Sequence, residues 1–328
     1  MGAMTFGIHD FRGRPFGVDK EQSRGLFDTY IGAGGNFIDT ANVYGHGLSE
    51  EYVGEFIKSD REKIVLATKY TISMRDGDPN ASGSHRKNMV QSVEQSLKRL
   101  QTDYIDLYWV HFWDWLTPTE ELMRGLDDLV RAGKVLYVGI SDAPAWRVAQ
   151  ANVMAELRGW TAFIGLQIEY SLIQRTPERE LVPMAAALGL DICAWGALGG
   201  GVITGKFKND KGAEGSQRKI NNENAGRFSE QSARIVDVVE KLAGQYGCST
   251  SQIALAWLID RTQAAIPIVG ARTVEQLQDN LGAVNVHLDP TAVNELNEAS
   301  AISMGFPHEF MSKGAPFLFG GTLASTFP

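Results

Sequence analysis

The sequence predicts a parallel α/β fold, an eight-stranded (β/α)8 barrel formed as a single domain over residues 1–328. Three observations carry this expectation. Short β-branched runs alternate with amphipathic stretches along the whole chain. The strand candidates number eight, which suits a barrel better than two nucleotide-binding halves. No G-x-G-x-x-G stands between an early strand and its helix, as the alternative, a doubly wound sheet, would require. Length alone does not choose between one barrel and two smaller domains.

The elements follow in order. Residues 1–8 supply a short first strand. Lys20 to Ile31 reads as a helix, ended by Gly32-Ala33-Gly34-Gly35. Those glycines follow a helix and precede a strand, the wrong order for a phosphate cradle, so they serve as a cap. The chain is organised around Gly35 to Glu50. There the apolar pair Phe37-Ile38 ends in Asp39, and a loop carries Tyr44 between small residues. Ser49, followed by Glu50 and Glu51, reads as a helix N-cap with acids in the first turn. Ile64 to Lys69 is a strand ending in lysine. Asn88 to Leu100 is a helix with Val90, Val93 and Leu97 on one face. Asp103 to His111 holds the fourth strand. Pro118 with Thr119-Glu120-Glu121 opens a helix that runs to Ala132.

Val135 to Ile140 is the fifth strand, followed by Ser141-Asp142 and a helix from Ala145 to Arg158. Ile164 to Tyr170 is the sixth, Arg179 to Leu188 a helix, and Asp191 to Leu198 the seventh. A polar loop then runs from about Gly199 to Ser229, and loops of that length serve as functional lids or are disordered. Glu230 to Tyr246 and Ser251 to Arg261 are helices. Ala265 to Val269 is the eighth strand, and Thr273 to Val284 a helix. Asp289-Pro290 starts a further helix to about Ser300. Ala301 to Pro328 forms a C-terminal extension with no clear periodicity.

Composition narrows the partners. A net charge of −8 disfavours nucleic acid, because phosphate binding needs a basic face. Cys193 and Cys248 show no paired spacing, so reduced thiols are expected rather than a disulfide or a metal site. No run approaches the ~18 apolar residues of a membrane span, and the N-terminus has no basic stretch before an apolar core. The expectation is a cytoplasmic protein with a small-molecule partner, no nucleic acid and no membrane. The oligomeric state is left open.

Phe37-Ile38-Asp39-Thr40-Ala41, then Tyr44-Gly45 and Ser49-Glu50, resembles the signature of the aldo-keto reductases. Asp103-Tyr104-Ile105-Asp106-Leu107-Tyr108 before His111 is similar to that family's fourth strand. Gly133-Lys134-Val135 and Val138-Gly139-Ile140-Ser141 match its fifth. The resemblance implies a catalytic tetrad of Asp39, Tyr44, Lys69 and His111. Taken singly, each has a plainer reading: a solvated lysine, a packing tyrosine, a core histidine amid Trp109, Phe112 and Trp113. At strand ends on one barrel face they have a chemical logic. Reducing a carbonyl needs a hydride on carbon and a proton on oxygen. A phenol with a pKa of ~10 is a poor acid at neutral pH, and a better one beside an ammonium. Lys69 would lower the Tyr44 pKa, Asp39 would hold Lys69 in place and protonated, and His111 would position the substrate oxygen.

The resemblance also implies NADP(H). Ser141 and Gln167 match family residues at the nicotinamide carboxamide. Asp142 stands where relatives usually carry asparagine, which replaces an amide donor with a charge. Trp195 matches the aromatic that stacks on the nicotinamide. Gly196, Leu198 and Gly200 lie in the segment whose backbone meets the pyrophosphate, and Lys206 looks like the phosphate-contacting lysine. Gly270, Arg272, Gln276 and Asn280 match the adenosine 2′-phosphate and adenine site. A guanidinium there, with no acid to hold a free ribose hydroxyl, favours NADPH over NADH. Trp113 is a candidate substrate contact or plain packing.

One departure stands out. Relatives usually begin with a hairpin covering the barrel floor, whereas Gly2 to Gly7 resembles only the end of their first strand. Two other functions would share parts of this pattern. A cofactor-binding regulatory or sensing subunit, like potassium-channel β subunits, would share the cofactor residues. A metal-dependent barrel hydrolase would need convergent ligands, and His9, His46, His85, His111, His287 and His308 lack such spacing.

Overall fold

The computed structural model describes residues 1–10, 13, 15–208, 217–261, 265–318 and 320. A two-stranded antiparallel hairpin comes first, β1 (His9–Asp10) with β2 (Pro15–Phe16). It has no signature in the sequence, because strands of two residues carry no periodicity. Seven strands then form one parallel sheet: β3 (Phe37–Asp39), β4 (Val65–Tyr70), β5 (Ile105–Val110), β6 (Val135–Ser141), β7 (Phe163–Glu169), β8 (Asp191–Trp195) and β9 (Ala265–Pro267). Each pairs with the next in the chain. Parallel neighbours need a crossover, and helices supply it.

α1 (Lys20–Gly32) precedes β3. The crossovers run through α2 (Leu48–Ile57), α3 (Arg86–Leu100), α4 (Thr119–Arg131), α5 (Ala145–Arg158), α6 (Leu181–Leu188), α7 (Gln217–Asn224), α8 (Glu230–Tyr246) and α9 (Thr250–Ile259), while α10 (Val274–Leu281), α11 (Pro290–Ala299) and α12 (His308–Leu318) follow β9. Consecutive helices from α1 to α6 touch, as do α8, α9 and α10, and α10 returns to touch α1.

The expected first strand is shorter than its eight residues. Only Gly2 bridges to Asp39, in parallel. Asp39 N donates to Met1 O at 2.9 Å and Ala3 N to Asp39 O at 2.8 Å, while Gly2 N donates to Val269 O at 2.9 Å. Residues 1–3 therefore hydrogen-bond to β3 on one side and to the residues just past β9 on the other.

Within the sheet the largest fully buried side chain is Trp109, which clusters with the buried Ala67, Leu107 and Cys193. Glycines make room for it. A Cβ on Gly139 would lie 2.4 Å from its ring, and one on Gly165 3.0 Å. Side chains at i and i+2 share a strand face, so the paired positions Trp109 and Gly139 lie in the columns that continue to His111, just past β5, and to Ser141 at the end of β6. Cys193 and Cys248 are both free thiols.

Several boundaries moved for physical reasons. Ser49 is not an N-cap. Gly45, His46 and Gly47 all take left-handed backbone, and α2 starts at Leu48 behind Gly47. Ser49 thereby turns inward, donates to Ala3 O at 2.8 Å and meets Thr40 Oγ1 at 2.7 Å. Of the expected face of α3, Val93 is buried and Leu97 packs against the core, but Val90 is 40% exposed; packing on α2 and α4 turns Met89, Ser96 and Leu100 inward as well. The loop from Gly199 to Ser229 contains a 3-10 turn (Gly199–Gly201) and α7, with residues 209–216 outside those described. The C-terminal extension carries α12, and residues 319 and 321–328 lie outside those described. α9 starts one residue early because Ser249 and Gln252 form a reciprocal capping box.

The close approach of α2 to α3 sets a stability test. A Cβ on Gly54 would sit 2.6 Å from the Leu100 carbonyl and 2.7 Å from that of Arg99. Backbone cannot yield as a side chain can. Gly54→Ala should therefore cost about 1–3 kcal/mol, read as a lower urea midpoint. An unchanged midpoint would show that the two helices separate freely.

Among the described residues no helix is long and apolar enough to cross a membrane.

Candidate active site

Parallel strands present their C-terminal ends on one side, and a site can be assembled there from neighbouring strands. Asp39 ends β3, Lys69 lies one residue from the end of β4, and His111 follows β5 directly. Tyr44 opens the 3-10 turn after β3. The turn's three left-handed residues, two of them glycine, fold that loop back over the strand ends.

Lys69 is fully buried and its ammonium pairs with the Asp39 carboxylate. It also donates to Thr40 O at 2.9 Å and reaches Tyr44 Oη at 3.4 Å. Gln167 Nε2 donates to the other Asp39 oxygen at 2.9 Å. The Tyr44 and His111 rings meet edge to face with centres 5.9 Å apart. The four residues expected from strand ends and loop are thus one contact cluster. The structure adds Gln167 to it, a residue expected at the cofactor.

The electrostatics follow from burial. Desolvation alone would lower the Lys69 pKa, but the Asp39 carboxylate and the Tyr44 phenol outweigh it and the net direction is upward. The ammonium persists at any physiological pH. For Tyr44 the largest influence is desolvation, which raises its pKa; Lys69 pulls it down without overcoming that. This corrects the sequence reading. Lys69 acts in the expected direction, yet the phenol stays weaker than a free one, because a buried phenolate loses more hydration than one ammonium returns. Burial, with a further push from Lys69, holds the His111 pKa well below its usual value, so the imidazole is neutral. Its Nδ1 is buried without a hydrogen-bond partner among the described residues.

A second buried group lies below. Glu50 accepts from Thr68 Oγ1 at 2.6 Å and from Arg99 Nε at 2.6 Å, and is itself fully buried. It locks α2 to β4 next to Lys69 and to α3. Glu50 does lie in the first turn of α2, as its place after Ser49 predicts, but it faces the interior. Its pairing with Ser49 in the family signature was the one signal that it did more.

The expected cofactor residues fall into three places. At the ends of β6 to β8, Ser141 and Trp195 both hydrogen-bond to Asp142, the indole N–H at 3.1 Å. Asp142 takes a left-handed φ of +44°, which Asp and Asn tolerate best after Gly. Burial pushes its carboxyl up to about 6, partly opposed by those two hydrogen bonds. Past β8, Gly196, Gly199, Gly200 and Gly201 all have positive φ. The Leu198 carbonyl accepts from Gly201 N at 2.8 Å. Lys206 Nζ comes close enough that a Cβ on Gly201 would be 2.7 Å away. Past β9, Gly270 is exposed, and Arg272 N donates to Gln276 Oε1 at 3.1 Å at the start of α10. Asn280, by contrast, is buried.

Two residues at this turn had no signal in the sequence. Asn222 Nδ2 donates to Gly200 O at 3.2 Å, and Arg227 reaches Asn222 Oδ1 at 3.1 Å and Glu169 Oε1 at 2.5 Å. They come from the polar loop, and together they pin α7 to the glycine turn. Trp113 is 8% exposed, too buried to form an open wall by itself. The exposed Arg272 guanidinium lies 5.3 Å from the centre of the Phe16 ring, with no carboxylate partner among the described residues. A guanidinium at the start of α10, and separately an ammonium beside the left-handed glycines past β8, are each donor types that fit phosphate. Among the described residues no group of His, Cys, Asp and Glu could hold a metal ion.

Similarity to known proteins fixes the class. The sequence profile described as the aldo/keto reductase family matches residues 1–301, and the chain belongs to that family of oxidoreductases. Its relatives include norsolorinic acid reductases and aryl-alcohol dehydrogenases. It is 41% identical over 318 residues to norsolorinic acid reductase stcV of Emericella nidulans, covering 95% of this chain and 80% of that protein. It is 38% identical over 319 residues to norsolorinic acid reductase B of Dothistroma septosporum, with the same coverage. It is 37% identical over 340 residues to aryl-alcohol dehydrogenase [NADP(+)] of Phanerodontia chrysosporium, covering 97% and 86%.

Proposed function

We propose that this protein reduces an aldehyde or ketone with NADPH, reversibly, with Tyr44 as the proton donor. The observation that carries this is the buried Lys69–Asp39 pair with the Tyr44 hydroxyl 3.4 Å from the ammonium. The names of the relatives, reductases and an NADP(+)-dependent alcohol dehydrogenase, agree with it. The cofactor would supply the hydride. We further infer one domain whose seven strands and N-terminal segment make up the (β/α)8 barrel, supported by the hydrogen bonds of residues 1–3 to both edges. A cytoplasmic location is part of the same reading.

The roles follow from the contacts. Asp39, held by Gln167, fixes the Lys69 ammonium beside the phenol. Tyr44 remains a phenol across the physiological range, because its pKa is raised. An alkoxide is a far stronger base than a phenolate, so a raised phenol pKa still leaves proton transfer downhill. The phenolate that results sits next to Lys69, where its charge is compensated. Neutral His111 orients the substrate oxygen. Arg272 and Gln276 would hold the 2′-phosphate, Lys206 and the glycine turn the pyrophosphate, and Ser141, Asp142 and Gln167 the carboxamide, against Trp195.

Two experiments test this reading. Loss of reduced-nicotinamide absorbance should depend on an added aryl aldehyde. Reduction, which needs the phenol, should stay level from neutrality to about pH 10, near the free-phenol value, and fall beyond it. Alcohol oxidation, which needs the phenolate, should still be rising at pH 10. Below pH 6 both should change as Asp142 becomes neutral. Oxidation that levels off near pH 7 would contradict Tyr44 as the titrating group. Separately, Arg272→Leu should raise KM for NADPH about tenfold or more while shifting KM for NADH little, the loss expected for one charge-assisted phosphate contact. Equal shifts for both would remove Arg272 from the 2′-phosphate.

A further inference from the structure

Beyond His111 the chain builds a feature that neither the tetrad nor the cofactor residues use. Arg147, in the first turn of α5, lies among three tryptophans. Its guanidinium carbon is 3.9 Å from the ring centre of Trp146, 5.5 Å from that of Trp113 and 6.0 Å from that of Trp115. Trp113 follows His111 by two residues, and α5 follows Ser141-Asp142. Strands β5 and β6 are paired neighbours, so the cluster stands where the ends of those two strands meet.

Three observations point to a ligand. The first is charge. Arg147 donates Nη1 to Gln150 Oε1 at 3.0 Å and has no carboxylate partner among the described residues, in a chain of net charge −8. Its Nε and the indole N–H of Trp113 are both buried with no acceptor among those residues. The second is exposure. Trp115 is 62% exposed, Trp146 56% and Leu116 89%, an aromatic surface that water does not favour. The third is strain. Trp115 holds a φ of +61°, a left-handed conformation unusual for so large a side chain. Asp114 enforces it, accepting from Leu116 N at 3.0 Å, Thr117 N at 2.9 Å and Thr117 Oγ1 at 2.7 Å, and anchoring to Ser84 N at 2.6 Å. The turn is clamped so that Trp115 stands outward.

A guanidinium stacked on indoles is pre-organised and weakly hydrated, and it binds a carboxylate or phenolate oxygen by parallel donors. Flanking indoles offer stacking faces to a flat ring. We propose that Arg147, held among Trp113, Trp115 and Trp146, selects aromatic carbonyl substrates that carry a negatively charged oxygen remote from the reacting carbonyl. This rests on the carbonyl-reductase reading above.

The test compares matched pairs differing only in that charge: benzaldehyde against 4-carboxybenzaldehyde, and 2-naphthaldehyde against 6-formyl-2-naphthoic acid. The carboxylated member of at least one pair should have the higher kcat/KM, chiefly through KM. In Arg147→Leu that preference ratio should fall at least tenfold, and in Arg147→Glu it should reverse. Binding is read separately by quenching of tryptophan fluorescence with 2-naphthoate and with neutral 2-naphthamide. Naphthoate should bind more tightly, and Arg147→Leu should abolish the difference while the folded circular-dichroism spectrum persists. Turnover with no charge preference in either pair, or a preference that survives Arg147→Leu, would overturn the inference and leave the reductase reading standing. Naphthoate selectivity lost in Arg147→Leu, without turnover of any carbonyl, would instead defeat the reductase reading and keep the anion site.

Discussion

Tyr44→Phe should lower carbonyl reduction by about 10²–10⁴-fold while leaving NADPH affinity nearly unchanged, the range for losing a positioned general acid. The substitution removes one oxygen. The ring would keep its edge-to-face contact with His111, 5.9 Å between centres, and Lys69 would keep Asp39 and Thr40 O as partners. Packing and charge balance therefore survive, and only the proton is lost. Single-turnover kinetics with saturating cofactor separate this from a binding defect. A variant with normal turnover would mean that another group supplies the proton, and Tyr44 would have no place in the chemistry.

Lys69→Met should be costly in a second way. It strands the Asp39 carboxylate, 2% exposed, with Gln167 as its remaining side-chain partner among the described residues. Breaking one side of a buried ion pair typically costs about 3–5 kcal/mol, more than the pair itself contributes. The urea midpoint should fall accordingly, and turnover should vanish. Asp39→Asn/Lys69→Met should recover much of the stability, since neither charge is then buried alone, yet none of the activity. If the double variant is as unstable as the sum of the singles, the two groups do not compensate each other and the pair is no electrostatic unit.

The site was legible in the sequence to different depths. Asp39, Lys69 and His111 could be placed because each closes an apolar run, and strand ends share a face in a parallel fold. Gln167 was legible as a site residue but not as a partner of Asp39, because 128 positions separate them. Ser49 is no N-cap, and the buried contacts of Glu50 are absent from its local pattern, for a related reason. Their local pattern is a sound helix start, and only the left-handed turn at Gly45 to Gly47 rotates them inward. Nothing in the local sequence singles out Arg147; its setting comes from the fold, which brings Trp113 and Trp115 to it beside Trp146.

By itself, then, the sequence determined the alternation of strand and helix, the parallel order and the residue types at each strand end. These depend on periodicity and on short-range turn chemistry, which neighbours in the chain settle among themselves. Tertiary structure decided that burial would raise the Tyr44 pKa against the pull of Lys69, and that residues 1–3 would hydrogen-bond to β3 on one side and to Val269, just past β9, on the other. It also decided which serine, glutamate and arginine would meet partners far along the chain. Desolvation and long-range pairing depend on what the whole fold brings around a group, and no local stretch contains that information.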